Sequence, residues 1–235
     1  MRIYGKLPFG NLAMLHLLDD RQYRDPQACT KGGEFGASTV NPAQCALWND
    51  PGRTVLGHAQ EQWLEDSFGQ AHTRWNVLGQ QTVFGQRDFR AGTREVLSND
   101  GWDGCAPARK RLTDALQHHR VANPVFLGGD VHSNWVGHVS RPDYARPDSR
   151  AIAVEFCGTS ITSHGGSNER LGEVLAENPH FVFADRERRG YGVVEFTPKR
   201  LDVSLRVVSD VARQDAGIET LAKFSVPAGE NRIQT

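Results

Sequence analysis

The segment Val125-Phe126-Leu127-Gly128-Gly129-Asp130-Val131-His132-Ser133 restricts the fold of this chain more than any other stretch. Asn123-Pro124 opens it, a short apolar run follows, and two glycines end the run before an aspartate and a histidine two residues apart. An apolar run of this length, bounded by turn residues, is the pattern of a buried strand. In open α/β sheets ligands bind beyond the carboxyl ends of such strands. Gly-Gly permits a tight turn there, so Asp130 and His132 are expected at the mouth of a crevice. A carboxylate oxygen and an imidazole nitrogen suit a hydrolytic metal centre. Blander uses stand beside that one. An aspartate after Gly-Gly also caps turns, and a single histidine is a common surface or core group.

The remaining pattern is that of a layered α/β protein. Residues 12–19 read as a buried strand ending at Asp19-Asp20-Arg21. A polar loop over residues 25–53 has no periodicity, and loops that long are usually functional or excursions. Leu56, Ala59, Trp63, Leu64 and Phe68 share one face of a helix over 56–71. Residues 75–79 form a short strand ending at Gln80-Gln81, and a second polar loop covers 85–104. Pro107 sits in the first turn of a second helix over 106–119. This alternation predicts a layered core up to about residue 130. Beyond it, strands are expected over 135–139, 152–156, 191–196 and 201–208, the last two as a hairpin, with a short helix over 169–177. Residues 209–235 read as a weakly ordered tail.

At 235 residues the chain is expected to be one domain with a substantial core. A net charge of -1 and no basic stripe argue against a nucleic-acid partner. No apolar run reaches the roughly 18 residues of a membrane span. Nothing after Met1 has the apolar stretch of a signal peptide, so the sequence as written predicts a cytoplasmic location. Cys29, Cys45, Cys105 and Cys157 match no zinc spacing. Cys29 and Cys45 share the 25–53 loop, where a disulfide and two free thiols are both open readings.

Several motifs, in order, resemble one family. They are Arg53-Thr54-Val55-Leu56-Gly57 with Glu61-Gln62-Trp63-Leu64, Trp75-Asn76-Val77-Leu78-Gly79-Gln80-Gln81, Asp100-Gly101-Trp102-Asp103-Gly104 and Gly128-Gly129-Asp130-Val131-His132-Ser133. Glu155-Phe156-Cys157-Gly158-Thr159-Ser160-Ile161-Thr162-Ser163, Asn178-Pro179-His180 and Arg189-Gly190-Tyr191 follow. The set is similar to the alkaline phosphatase D (PhoD-like) metallophosphoesterases, over nearly the whole chain up to about residue 208. The resemblance implies an αββα sandwich, a multimetal centre of calcium and iron, and hydrolysis of phosphate monoesters or diesters. Asp130 and His132 fall on the family's last metal-binding motif. The family's earlier ligand motifs have no counterpart in residues 1–11. Residues 1–208 are therefore expected to be the C-terminal portion of the catalytic domain. The sandwich would be incomplete on its N-terminal side, with the other half missing or supplied by a neighbouring polypeptide. The family is mostly exported.

Five further residues are candidates for substrate contact or for support of the metal ligands. Arg21 can hold a phosphate through two bonds or pair with Asp19 or Asp20. Gln80 and Gln81, at a strand end, can orient a ligand or bond the backbone. Asp103 is a substrate-loop residue or a turn former. His180 is the remaining candidate imidazole, while Thr159, Ser160, Thr162, Ser163 and His164 make a polar loop whose hydroxyls mostly suit turns. The expected function is metal-dependent phosphoester hydrolysis, with the isolated chain inactive because two ligands cannot build a two-metal site. The alternative is a non-catalytic partial domain or binding module.

Overall fold

A seven-stranded sheet forms the centre of the computed structural model, which describes residues 1–30, 36–92, 94–140 and 150–235. Its strands are β1 (Gly5–Phe9), β2 (Ala13–Leu17), β4 (Trp75–Gly79), β6 (Pro124–Gly128), β7 (Asn134–Val139), β8 (Ala153–Cys157) and β9 (Phe181–Asp185). Their spatial order is β1-β2-β4-β6-β8-β7-β9. Strands β2, β4, β6 and β8 run parallel to their neighbours in that set, while β1, β7 and β9 pair antiparallel. Parallel strands need crossovers, and helices supply two of them. Helix α1 (His58–Gly69) links β2 to β4, and α2 (Ala106–His118) links β4 to β6.

The two faces of this sheet are covered differently. On one face, Leu64 and Phe68 of α1 and Ala108, Leu112 and Leu116 of α2 pack with Leu78, Phe84, Trp102 and Phe126. The spacing 108, 112, 116 is one helical face, which is why α2 buries that stripe. On the other face lies an antiparallel sheet of β10 (Gly190–Phe196), β11 (Arg200–Val208) and β12 (Ile218–Pro227). Leu201, Val203 and Leu205 alternate inward from β11 and meet Val125, Val154 and Phe156. The architecture is thus a helix layer, a large mostly parallel sheet and a second sheet. Helix α3 (Leu171–Glu177) packs on β9 through a smaller cluster with Val83 and Trp135.

Local chemistry explains the helix starts. Gly57, at φ 72°, precedes α1. The Thr54 hydroxyl accepts from the Gly57 amide at 2.9 Å and donates to Glu61 at 2.5 Å, so α1 begins two residues later than the apolar pattern suggests. The two long loops are not empty. The first carries β3 (Thr39–Val40), which pairs with β5 (Leu97–Ser98) of the second. It also carries 3-10 turns at Pro42–Gln44 and Ala46–Asn49 and a Cys29–Cys45 disulfide. Residues 31–35 of the first loop and 93 of the second lie outside the described residues.

The stretch expected to be a loose tail is structured instead. Strand β12 pairs along the whole of β11, and Gln234 bridges back to Ser225. Among the described residues no helix is long and apolar enough to cross a membrane.

Candidate functional site

The parallel strands β2, β4, β6 and β8 all end at one edge of the sheet, so the loops that leave them gather there. β6 is the fourth of the seven strands, which centres its Gly-Gly-Asp on that edge. Gly128 is required by close approach. A Cβ there would lie 2.0 Å from the Thr82 carbonyl oxygen and 2.7 Å from Gln80 Nε2. The two residues of chemical interest that follow both adopt left-handed backbone, Asp130 at φ 68° and His132 at φ 51°. Non-glycine residues are rarely held that way, and such strain clusters at functional sites.

Asp130 projects to the surface and joins a charged cluster built from three loops. Its Oδ2 accepts from Arg21 Nη2 at 2.6 Å, and Arg21 Nη1 reaches Asp100 Oδ2 at 3.3 Å. Asp100 is held in turn by Gln27 at 2.9 Å and Arg24 at 2.9 Å. Arg21 therefore pairs chiefly with Asp130 and Asp100; Asp20 lies 3.9 Å from its Nε. Asp19 is engaged elsewhere, accepting from the amides of Arg21 and Gln22. The buried Asp20 carboxyl has its pKa raised to about 6, because burial outweighs the pull of Arg21.

The two glutamines are backbone clips. Gln81 Oε1 accepts from the Asp20 amide at 2.7 Å while its Nε2 donates to Leu18 O at 2.7 Å, joining the β2 and β4 loops. Gln80 bonds the Thr82 amide and carbonyl and accepts from the Trp102 indole. A third, Gln60, does the same from α1: its amide exchanges bonds with Asp19 N and O.

Asp103 and His180 are interior groups. Asp103 is buried, pairs with Arg109 and accepts from the Arg87 amide. His180 is buried, and its Nε2 lies 2.8 Å from Gln86 O, so that nitrogen carries the donated proton. Burial lowers its pKa to about 4. Both residues bond to the segment that follows β4.

His132 faces a different space. It lines a cavity of about 180 Å³ together with Arg87, Trp135, His164, Gly166 and Arg186; Asp130 is not part of that lining. Arg189, outside that lining, ties its backbone together, donating to His132 O at 2.7 Å, Ser160 Oγ at 2.8 Å and Ser163 O at 3.2 Å. Ser160 and Thr159 spend their own hydroxyls on backbone carbonyls, the turn role expected for that loop. Arg87 and Arg186 carry no motif in the sequence, and Arg189 stands out there only within Arg189-Gly190-Tyr191. The one local sign was Gly165-Gly166, small residues beside a strand-end hydroxyl loop.

Comparison with known proteins agrees with this architecture. The sequence model of the PhoD-like phosphatase family matches residues 1–205. The chain is 37% identical over 227 residues to "Alkaline phosphatase D" of Bacillus subtilis (strain 168), covering 95% of this chain and 37% of that protein. A solved structure titled "Structure of PhoD" superposes with a TM-score of 0.87 at 34% identity, covering all of this chain and 44% of the other. The chain thus spans about two fifths of the length of the relatives it matches.

Proposed function

Because the chain belongs to the PhoD-like phosphatase family, we propose that it carries part of a centre that hydrolyses phosphate monoesters or diesters, with Asp130 and His132 as its contributions to metal binding. The observation that carries this reading is the placement of an exposed carboxylate, in strained left-handed backbone, at the end of the central parallel strand. The family resemblance points to calcium and iron as the metals. The donors present here do not by themselves fit such a group. Among the described residues no three of His, Cys, Asp and Glu gather closely enough to hold a metal ion, and Arg21 already engages Asp130. No chemical step is therefore routed through a metal in this chain. Its own residues supply a phosphate-binding guanidinium, Arg21, and a rigid edge on which Gln60, Gln80 and Gln81 hold the loops in register.

The isolated chain is expected to be nearly inactive, with the remaining donors coming from outside it. The same shortage of donors favours, as a second reading, a non-catalytic partial domain. A chromogenic phosphate ester with added calcium, iron, zinc or manganese tests both. Little turnover is expected from the chain alone. Mixed with the remaining portion of the Bacillus relative, it should gain activity that Asp130→Asn lowers on the order of 100-fold, the upper range for weakened metal contacts. Robust turnover by the chain alone, lost in Asp130→Ala, would refute the partial-site reading. No activity in the mixture would leave the non-catalytic one.

A further inference from the structure

We propose that the cavity beside His132 is a binding site for a phosphoryl oxyanion, held by Arg87 and Arg186 and separate from the Asp130–Arg21 cluster. The proposal rests on the phosphoesterase reading for its ligand class and deepens it, since it gives the same edge of the sheet a second anion contact.

The first observation is a buried cation without a matching anion. Arg87 is only 8% exposed, and its Nε makes no hydrogen bond. Its guanidinium lies over the rings of Phe89 and Trp135, 4.5 and 5.1 Å from their centroids. The nearby acids are committed elsewhere: Asp103 pairs with Arg109, and Glu155 accepts from the amides of Phe84 and Gly85. Burying a charge without a hydrogen-bonded partner is costly, so an incoming anion would relieve a standing penalty.

The second observation is that the fold brings another guanidinium to the same space. Arg186 lines the cavity with Arg87, and the lining contains no Asp or Glu. Like charges placed together in a pocket without acids define an anion site, and arginine forks match phosphoryl oxygens in pairs. Both arginines are carried on pinned backbone. The Arg87 amide donates to Asp103 at 3.2 Å, its neighbour Asp88 to Asn178 at 2.8 Å, and the Arg186 amide to Asn168 at 2.8 Å.

The third observation explains a glycine. A Cβ on Gly166 would stand 2.7 to 2.9 Å from Nη2, Nε and Cζ of Arg186. A side chain there would push the guanidinium aside. Glycine at this position therefore keeps Arg186 where it faces Arg87.

The test is calorimetric titration of the metal-free 235-residue chain with inorganic phosphate at low ionic strength. Saturable binding is expected. It should weaken by about 10-fold or more in Arg186→Gln, the loss of charge-assisted hydrogen bonds. Arg186 is half-buried, so this variant is expected to fold. Gly166→Ala should weaken binding similarly by displacing Arg186, and Arg213→Gln, in an exposed pair with Asp215, should leave it within about 2-fold. Absence of binding, or an affinity indifferent to Arg186→Gln and Gly166→Ala, would overturn the proposal. Competition by phenyl phosphate would identify the ligand as a phosphoryl group of a substrate. Binding of inorganic phosphate alone would identify it as released phosphate. Neither readout needs turnover, so failure of the phosphoesterase reading and failure of this site are distinguishable.

Discussion

Asp130 shows how a single residue can serve something other than stability. Its φ of 68° costs a β-carbon-bearing residue roughly 1 kcal/mol or more, and its contact with Arg21 is partly solvated, a type of pair worth about 0–1 kcal/mol. Asp130→Gly should therefore match or exceed the parent in urea stability, whereas Asp130→Ala should lose about 1 kcal/mol. A second residue-scale expectation concerns protons. Burial raises the Glu155 pKa to about 7 from 4.5, against the two amides it accepts from. Between those values the folded chain keeps a proton that the unfolded chain has released. Its stabilising effect is complete below pH 4.5 and is lost as pH rises through about 7. Burial acts oppositely on His16 and His180, both lowered to about 4 from 6.5. Their effect is complete above pH 6.5 and is lost as pH falls through about 4. Asp20, raised to about 6, adds to the Glu155 side. His138, also lowered by burial, joins the histidines, and Asp103, also raised by burial, joins the acids. The two sets oppose, so the stability of the parent chain should change only gently from pH 5 to 6.5. In Glu155→Gln the slope of stability with pH should be more positive than in the parent by up to about 1.4 kcal/mol per unit, the share of one proton.

At the scale of the element, two features can be tested directly. Gly128→Ala should cost several kcal/mol, because the added carbon would overlap the Thr82 carbonyl that crosses the end of β6. Reduction of Cys29–Cys45, which closes a loop of sequence separation 16, should lower stability by about 3 kcal/mol; melting with and without reductant measures it. The elements that were legible in the sequence are those whose burial is uniform or strictly alternating. β4, β6 and β8 are apolar runs buried in the sheet, and Leu201, Val203 and Leu205 of β11 alternate. β12 carries no such signature because its pairing with β11 shifts register near Leu205 and Arg206, which breaks the two-residue period around Leu221. β1 carries none because Leu7, Pro8 and Phe9 are exposed, so no inward face marks it. The candidate site was legible only where a strand end advertised it. Asp130 and His132 follow Gly-Gly, but Arg21 meets Asp130 across 109 residues and Arg87 meets Arg186 across the sheet edge. No local pattern encodes such meetings. Asp103 and His180 carry the right chemistry, yet packing turned both inward.

For the molecule as a whole, the uneven covering of the large sheet has consequences. β1 is an edge strand, and Leu7 and Phe9 on it, Ile3 just before it and Leu17 on the neighbouring β2 expose 40–58% of their surface. Apolar edge strands template pairing with other chains. Sedimentation of the purified chain should show concentration-dependent association, and Leu7→Lys with Phe9→Lys should suppress it; a monodisperse parent chain would show that this edge is self-sufficient. At the far end of the sequence the last residues bind across the sheet rather than trailing from it. Gly229 N donates to Asn123 Oδ1 at 2.6 Å, Asn231 Nδ2 to Ile152 O at 2.8 Å, and Ile233 N to His138 Nε2 at 3.1 Å. The last of these bonds needs a bare imidazole nitrogen, which burial favours by lowering the His138 pKa. A proton on that nitrogen would remove the acceptor, so acidification should unfasten the strap from its end. In hydrogen–deuterium exchange the Ile233 amide should lose protection as the solution is acidified, before the β11 amides do, and a carboxypeptidase that cannot trim the chain at neutral pH should begin to shorten it.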